Sequence, residues 1–408
     1  MKILNVMPFS PVPKDFGGAL REYYILQSLA SEHEVTVVTY GTEEQFDLFT
    51  REFGDLVNEI HMVKPPWERK FRRLAQFYAV CCSGKSYFHN HNCSQCLQKK
   101  ITELLETKNF DAVHCEFSVM GNLNFGNDVL KIMNTHNVEY NNFRRMWNTT
   151  NTAFRKRFYR HEYKKVYHEE IKALKNQDVI FSTSEKDREI FRKDIPDVPN
   201  YVVPNGVDTE FFTPSDIIDE EPYSLVFTGM MGYVPNYDGM LWFLDNIFPK
   251  IKKQIPNIKV YIVGKNPPAE LEKRALDDVV VTGFVDDVRP YVWRSSVFIV
   301  PLRMGSGTRL KVVEALSMKK PVVSTSIGCE GIEVVDGDSI LIEDEPKDFA
   351  EAVVQLLQNR NLRSHLTENG YRLVKEKYDW SVVGNHMLNV YDHLSAKQES
   401  EIALADVS

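Results

Sequence analysis

Residues 297–325 read "VFIVPLRMGSGTRLKVVEALSMKKPVVST", a strand, a tight loop, a helix and a second strand. The flanking runs "VFIVPL" and "PVVST" are short and rich in Val and Ile without strict alternation. That pattern belongs to strands buried on both faces of a parallel sheet. Between them, Gly305, Ser306 and Gly307 allow a sharp turn and a close approach of backbone to a ligand. The spacing predicts a helix beginning near Thr308, whose unsatisfied N–H groups and positive dipole end point into the loop. Such an end suits a phosphate, and Arg309 and Lys311 add charge-assisted donors on either side of Leu310. Glu314, about one and a half turns inward, is a carboxylate able to accept two vicinal hydroxyls of a ribose. A nucleoside diphosphate fits this arrangement. Taken alone, the same residues also suit a helix with a glycine N-terminus and solvated Arg and Lys. Their place at the carboxyl end of a strand is where open α/β sheets bind ligands.

Similar runs recur along the chain. "KILNVM" (2–7), "EVTVVTY" (34–40), "DAVHCEF" (111–117), "VLKIMNTH" (129–136) and "DVIFSTS" (178–184) precede a polar gap. "YSLVFTG" (223–229), "IKVYIVG" (258–264), "VVVTGF" (279–284), "VFIVPL" (297–302), "PVVST" (321–325) and "SILIE" (339–343) follow it. With helix-length segments between them, these runs predict two doubly wound α/β domains in tandem. The stretch 194–222 carries five prolines and many acids and marks the divide near residue 200. The expected domains are 1–200 and 201–380, with a helix over 381–395 returning to the first domain and a polar, frayed tail over 396–408.

A net charge of −8 over 408 residues argues against a dedicated nucleic-acid binder. No apolar run approaches the roughly 20 residues that span a bilayer, and "MKILNVMPFSPVP" reads as a first strand and loop, so a cytoplasmic location is expected. There the six cysteines (Cys81, Cys82, Cys93, Cys96, Cys115 and Cys329) are expected as free thiols. In "HNHNCSQC" (89–96), His89, His91, Cys93 and Cys96 have the chemistry to ligate zinc. The alternate-residue His spacing and the apolar Leu97, Ile101, Leu104 and Leu105 favour a plain amphipathic helix, and no metal is expected.

"VPNGVD" (203–208), "FTGMMGYVPNYDGMLWF" (227–243), "YIVG" (261–264), "VTGFVDDVRPYV" (281–292), the 305–325 motif, "VVDGDSILI" (334–342) and "YDWS" (378–381) occur in a familiar order. Together with "FGGALREYYILQSLA" (16–30), "THNVEY" (135–140) and "FSTSEKD" (181–187), they resemble the retaining glycosyltransferases of family 4. The resemblance runs to about residue 393. It implies the GT-B fold, with two facing Rossmann-like domains and a cleft between them, and a nucleotide-sugar donor with no cofactor. It implies that Gly17 and Gly18 form a loop over the donor diphosphate. It implies that His136 lies near the transferred sugar, contacting a hydroxyl or polarising the leaving group, and that Glu314 binds the nucleotide ribose. Gly264 and Phe284 are expected beside the nucleotide, and His136, Arg309 and Glu314 form the expected catalytic set. Two departures stand out. Many members carry a carboxylate eight positions before this Glu, where this chain has Ser306. Many carry an Arg and a Lys after the first strand of the second domain, where this chain has Met230, Met231 and Asn236. Arg309 and Lys311 are expected to supply the missing charge. The resemblance also implies retention by front-face attack, a donor phosphate oxygen taking the acceptor's proton, with no metal.

Residues 144–165, "RRMWNTTNTAFRKRFYRHEYKK", hold eight basic residues against one acid, interleaved with Trp147, Phe154, Phe158, Tyr159 and Tyr163. They suit peripheral contact with an anionic membrane presenting a glycan or lipid-linked acceptor, joined by "KPPWERKFRRL" (64–74), or a solvated helix whose aromatics enter the core. Rival functions are a nucleotide-sugar epimerase or phosphorylase of similar layout and a non-catalytic sugar-binding scaffold. A dehydrogenase lacks support, because no G-x-G-x-x-G follows the first strand, and "SGKS" (83–86) fails as a P-loop with Ala79 at its first position.

Overall fold

A computed structural model describes residues 1–65, 84–150, 152–305 and 307–405. Ser306, Cys81, Cys82, Ser83 and most of 64–74 lie outside the described residues. The chain forms two units, Met1–Pro204 with Gly384–Ser408, and Asn205–Val383.

The first unit holds strands β1 (Lys2–Val6), β2 (Glu34–Tyr40), β3 (Glu59–Val63), β4 (Ala112–Glu116), β5 (Leu130–Asn134), β6 (Val179–Ser182) and β7 (Asn200–Val202). They form one parallel sheet in the order β3-β2-β1-β4-β5-β6-β7. The second unit holds β8 (Ser224–Thr228), β9 (Lys259–Val263), β10 (Val279–Gly283), β11 (Val297–Val300), β12 (Val322–Ser324) and β13 (Leu341–Ile342), ordered β10-β9-β8-β11-β12-β13 and again parallel. Every apolar run read as a strand is one. The strands that the pattern did not predict are β3 and β7, the two edges of the first sheet. Edge strands are half solvated, so "EIHMV" and "NYV" lack the continuous apolar signature.

Each sheet is buried by its crossovers. Leu225, Val226, Phe227, Ile262, Ile299 and Val323 are wholly inaccessible in the second unit, as are Ile3, Leu4, Val6, Val38, Val113 and Ile180 in the first. At about 1.5–3 kcal/mol for each large apolar side chain buried, these layers hold the strand ends in fixed positions. In both units the strand C-termini define one rim, and the loops there carry the candidate residues.

The helix Ala153–Lys175 explains the basic stretch. Its inward acids cap other helices: Glu170 accepts the backbone N–H groups of Glu139 (3.1 Å) and Tyr140 (2.8 Å), where the helix Glu139–Thr149 has no cap of its own. Glu162 accepts the Tyr87 N–H at 2.7 Å, and Glu169 accepts the Ser86 N–H at 2.8 Å. The outward side carries Arg155, Lys156, Arg157, Arg160 and Lys164, all exposed. The aromatics divide between the two alternatives: Tyr163 and Tyr167 pack on the core, whereas Phe154 is 82% exposed. The final helix, Trp380–Ala405, is continuous through the stretch expected as a frayed tail. Cys93 turns inward to the Val119 carbonyl (3.3 Å) after the short helix Tyr87–Asn92, and Cys96 is exposed on the helix Gln95–Thr107.

Candidate active site

In the second unit the rim is built by the loops after β8, β9, β10 and β11. Gly305 (φ 131°) and Gly307 (φ 77°) take left-handed conformations open to glycine. The helix begins at Leu310, two residues later than the spacing predicts, with Arg309 as its N-cap. The Leu310 N–H returns to the Thr308 carbonyl and the Val312 N–H to that of Arg309. The first turn therefore satisfies part of its own donor set. Arg309 is only 7% exposed. It donates from Nε to the Ile327 carbonyl (3.4 Å), and a Cβ on Gly305 would lie 2.6 Å from its guanidinium. Arg309 thus supports the glycine loop from beneath.

Lys311 runs toward the segment after β8. Its Nζ donates to Asn236 Oδ1 at 3.0 Å and lies 3.9 Å from the Phe227 ring centroid. Asn236 in turn donates to the Met230 carbonyl at 2.9 Å. Burial lowers the Lys311 pKa to about 7, Glu314 opposing and Arg309 reinforcing the fall. Burial likewise raises Glu314 to about 7, against the pull of Lys311. Burial thus moves the lysine and the glutamate in opposite directions, each toward its uncharged form. Gly264 (φ 149°) brings its loop so close to that after β8 that a Cβ would sit 1.7 Å from the Gly229 carbonyl oxygen. Phe284, past the end of β10, is 70% exposed.

The first unit holds Gly17, Gly18 and His136. The helix Gly17–Glu32 opens on the two glycines, with no side-chain cap from Phe16. A Cβ on Gly18 would meet Phe16 at 2.8 Å and both Phe117 and Phe9 at 3.2 Å, so the glycine leaves room for these three rings to gather. Phe117, itself at φ 64°, stacks on His136 with centroids 3.8 Å apart and planes at 22°. Gly18 and His136, separate in the sequence, share one aromatic contact.

Beneath them is a group of buried polar residues that the sequence analysis did not single out. His136 Nε2 is 2.7 Å from Glu116 Oε2, and His114 Nε2 is 3.0 Å from Glu116 Oε1. The Tyr391 hydroxyl, from the last helix, lies 2.5 Å from His114 Nδ1. Asn134 Nδ2 donates to both Glu116 oxygens (3.2 and 3.0 Å), and Arg21 donates to Asn134 Oδ1 (2.6 Å) and to the Val203 and Pro204 carbonyls. Burial pushes the Glu116 pKa up, but the bonds from His114 and His136 outweigh it and hold the carboxyl well below the usual range. Burial lowers His136, against the opposing bond and charge of Glu116. One signal was legible: His114 and Glu116 stand two apart in the otherwise apolar strand "AVHCE", hence on one face of the sheet.

Two family models match the chain: "Glycosyltransferase Family 4" over residues 17–211 and "Glycosyl transferases group 1" over residues 222–359. An uncharacterized 44.6 kDa protein in the cps region of Klebsiella pneumoniae is 24% identical over 404 residues, covering 93% of this chain and 96% of that one. A phosphatidyl-myo-inositol mannosyltransferase of Mycolicibacterium smegmatis is 28% identical over 203 residues, 47% of this chain and 52% of that protein, so the chain spans about half of that relative. The solved structure of Anabaena HepE in complex with UDP superposes with a TM-score of 0.67 at 12% identity, covering 96% of this chain and 100% of that one. Each model falls mainly on one unit, and a solved structure follows the fold over 96% of the chain. The chain is therefore a glycosyltransferase and belongs to family 4, built on the GT-B fold.

Proposed function

We propose that the protein moves a sugar, with retention of configuration, from a nucleoside-diphosphate sugar to a hydroxyl of a glycan or lipid-linked acceptor, in surface polysaccharide or glycoconjugate synthesis. The observation that carries this reading is the placing of Lys311 Nζ 3.0 Å from Asn236 Oδ1 at the rim of the second unit, with Glu314 three residues further along the same helix. Lys311 would neutralise the donor diphosphate, Glu314 would accept the ribose hydroxyls, and Phe284 would cover the base. Gly305 and Gly307 would bring backbone close to the phosphates, over a loop propped by Arg309. As the anomeric C–O bond breaks, negative charge grows on the departing diphosphate, and a fixed cation there lowers the barrier. A protein cation in that place does the work that a metal would otherwise do. His136 would meet the sugar from the first unit, with Gly17 and Gly18 beside it. A donor phosphate oxygen would take the acceptor's proton.

The relatives support each half of this in general terms: one structure holds UDP, one relative is named a phosphatidyl-myo-inositol mannosyltransferase, and another stands in a cps region. Among the described residues no helix is long and apolar enough to cross a membrane. Contact with a lipid acceptor would run through the basic side of 144–165. The test is thermal stabilisation by a panel of nucleotide sugars, followed by transfer to a glycolipid extract and determination of the product anomer by NMR. Stabilisation by one donor and a product of unchanged configuration are expected. Indifference to every nucleotide sugar would sink the donor reading, and an inverted product would sink retention.

A further inference from the structure

The buried series Tyr391–His114–Glu116–His136 has a direction. An ionised carboxylate only accepts, and it has about four acceptor sites. On Glu116 three donors face them: His114 Nε2 on Oε1, His136 Nε2 on Oε2, and Asn134 Nδ2 shared between the two. The Asn134 amide cannot turn round, because its Oδ1 must face the Arg21 guanidinium at 2.6 Å. One atom each of Glu22, Glu116 and His136 lie within 4.8 Å of one another. Within that grouping Glu116 and His136 are joined by a hydrogen bond, and Glu22 stands apart from it. Glu22 is wholly buried, and no partner among the described residues reaches its oxygens. Burial first, and the like charge of Glu116 second, keep it protonated.

Both imidazoles must therefore carry a proton on Nε2. His114 Nδ1 then accepts a hydrogen bond from the Tyr391 hydroxyl. At the other end, no hydrogen-bond partner among the described residues reaches His136 Nδ1, and the stacked Phe117 fixes the plane of the ring. We propose that Glu116 is a positioning residue that locks His136 in the Nε2–H tautomer and so makes Nδ1 a hydrogen-bond acceptor for a substrate hydroxyl. A group that only accepts, such as a phosphate oxygen, meets a lone pair there and is turned away. His136 accordingly selects the hydroxyl-bearing sugar and not the diphosphate. This inference rests on the reading of His136 as a substrate-contacting residue.

The experiment combines long-range 1H–15N correlation spectra of 15N-histidine-labelled protein with steady-state kinetics. His136 is assigned by the signal lost in H136Q. The wild type should show the Nε2–H pattern for His136. In E116Q the side-chain amide sets a donor against the ring, so the tautomer should change. kcat should fall by about 5–100-fold, the loss of about 1–3 kcal/mol that comes of leaving a buried polar group without its partner, since His136 accepts a hydrogen bond and moves no proton. E116D, which keeps the carboxylate, should restore the tautomer and part of kcat. A wild-type Nδ1–H pattern overturns the proposal by itself, even if E116Q fails to fold. An altered tautomer in E116Q with unchanged kcat also overturns it. Wild-type kcat in H136Q overturns the placement of His136 in the site, a failure separate from that of the tautomer.

Discussion

Lys311 Nζ and Asn236 Oδ1 lie 3.0 Å apart, so a lysine of the motif helix ends in the segment after β8, which has no cation of its own. Gly229 makes room for it, since a Cβ there would fall 2.7 Å from the ammonium. The proposed function gives Lys311 and Glu314 different parts of one ligand, and two variants separate them. Lys311→Met should weaken both pyrophosphate and a nucleoside diphosphate. Glu314→Gln should weaken the nucleoside diphosphate and leave pyrophosphate alone. Charge-assisted hydrogen bonds contribute about 1.5–3 kcal/mol, so each loss should be about 10–150-fold in Kd by titration calorimetry. Equal effects of both variants on both ligands would contradict the division.

The same pair should give donor affinity a pH optimum. In the empty protein burial brings Lys311 down to about 7, and a bound diphosphate favours its charged form. The complex then holds more protons than the free protein above pH 7, so affinity falls as pH rises, by up to about tenfold per unit. Glu314 is raised to about 7 when empty, and ribose hydroxyls favour its ionised form. The complex then holds fewer protons below pH 7, so affinity falls as pH drops. Binding of a nucleotide sugar should peak near pH 7. Lys311→Met should abolish the alkaline limb and Glu314→Gln the acid limb, measured as Kd between pH 5.5 and 9.

Local pattern carried the reading as far as local pattern reaches. Buried strands announce themselves because both faces are apolar, and the glycine loop with its Arg, Lys and Glu is contiguous in the chain. The direction of Lys311 was not legible, because it depends on how the loop after β8 packs against the motif helix. Glu116 was missed for a related reason. The residues of its network come from β4, from β5 and the turn after it, from the helix Gly17–Glu32 and from the final helix, and Tyr391 meets His114 across 277 residues. The alternating His114 and Glu116 in an apolar strand were the available hint. The spacing put the helix start near Thr308; in the structure Gly307 keeps a positive φ and the helix opens at Leu310.

Gly264 should tolerate no side chain. Alanine there would need a left-handed backbone and would place its Cβ on the Gly229 carbonyl, moving both rim loops at once. Gly337 makes the control: its φ is 73°, yet nothing lies within 4 Å of an added Cβ. Gly337→Ala should cost about 1 kcal/mol from the backbone alone, whereas Gly264→Ala should cost more than about 3 kcal/mol because a backbone oxygen cannot yield. Urea unfolding midpoints of the two variants test this, and comparable losses would contradict it.

The exposed side of the helix Ala153–Lys175 should bind anionic lipid. Its inner acids, Glu162, Glu169 and Glu170, are occupied in capping neighbouring helices, so the outer cations are not drawn inward to neutralise them. Phe154, 82% exposed among Arg155, Lys156 and Arg157, has the placement of a residue that enters the headgroup layer. Each cation near such a surface contributes about 1 kcal/mol, so reversing Arg155, Lys156 and Arg157 to Glu should lower partitioning onto phosphatidylserine vesicles by more than about 100-fold. Phe154→Ser should reduce binding without changing its salt dependence, because it removes apolar contact and no charge. Sedimentation of the folded triple variant equal to that of the wild type would show that this face meets solvent only. The substituted side chains are exposed, so the variant should keep wild-type stability, and its thermal unfolding serves as the check.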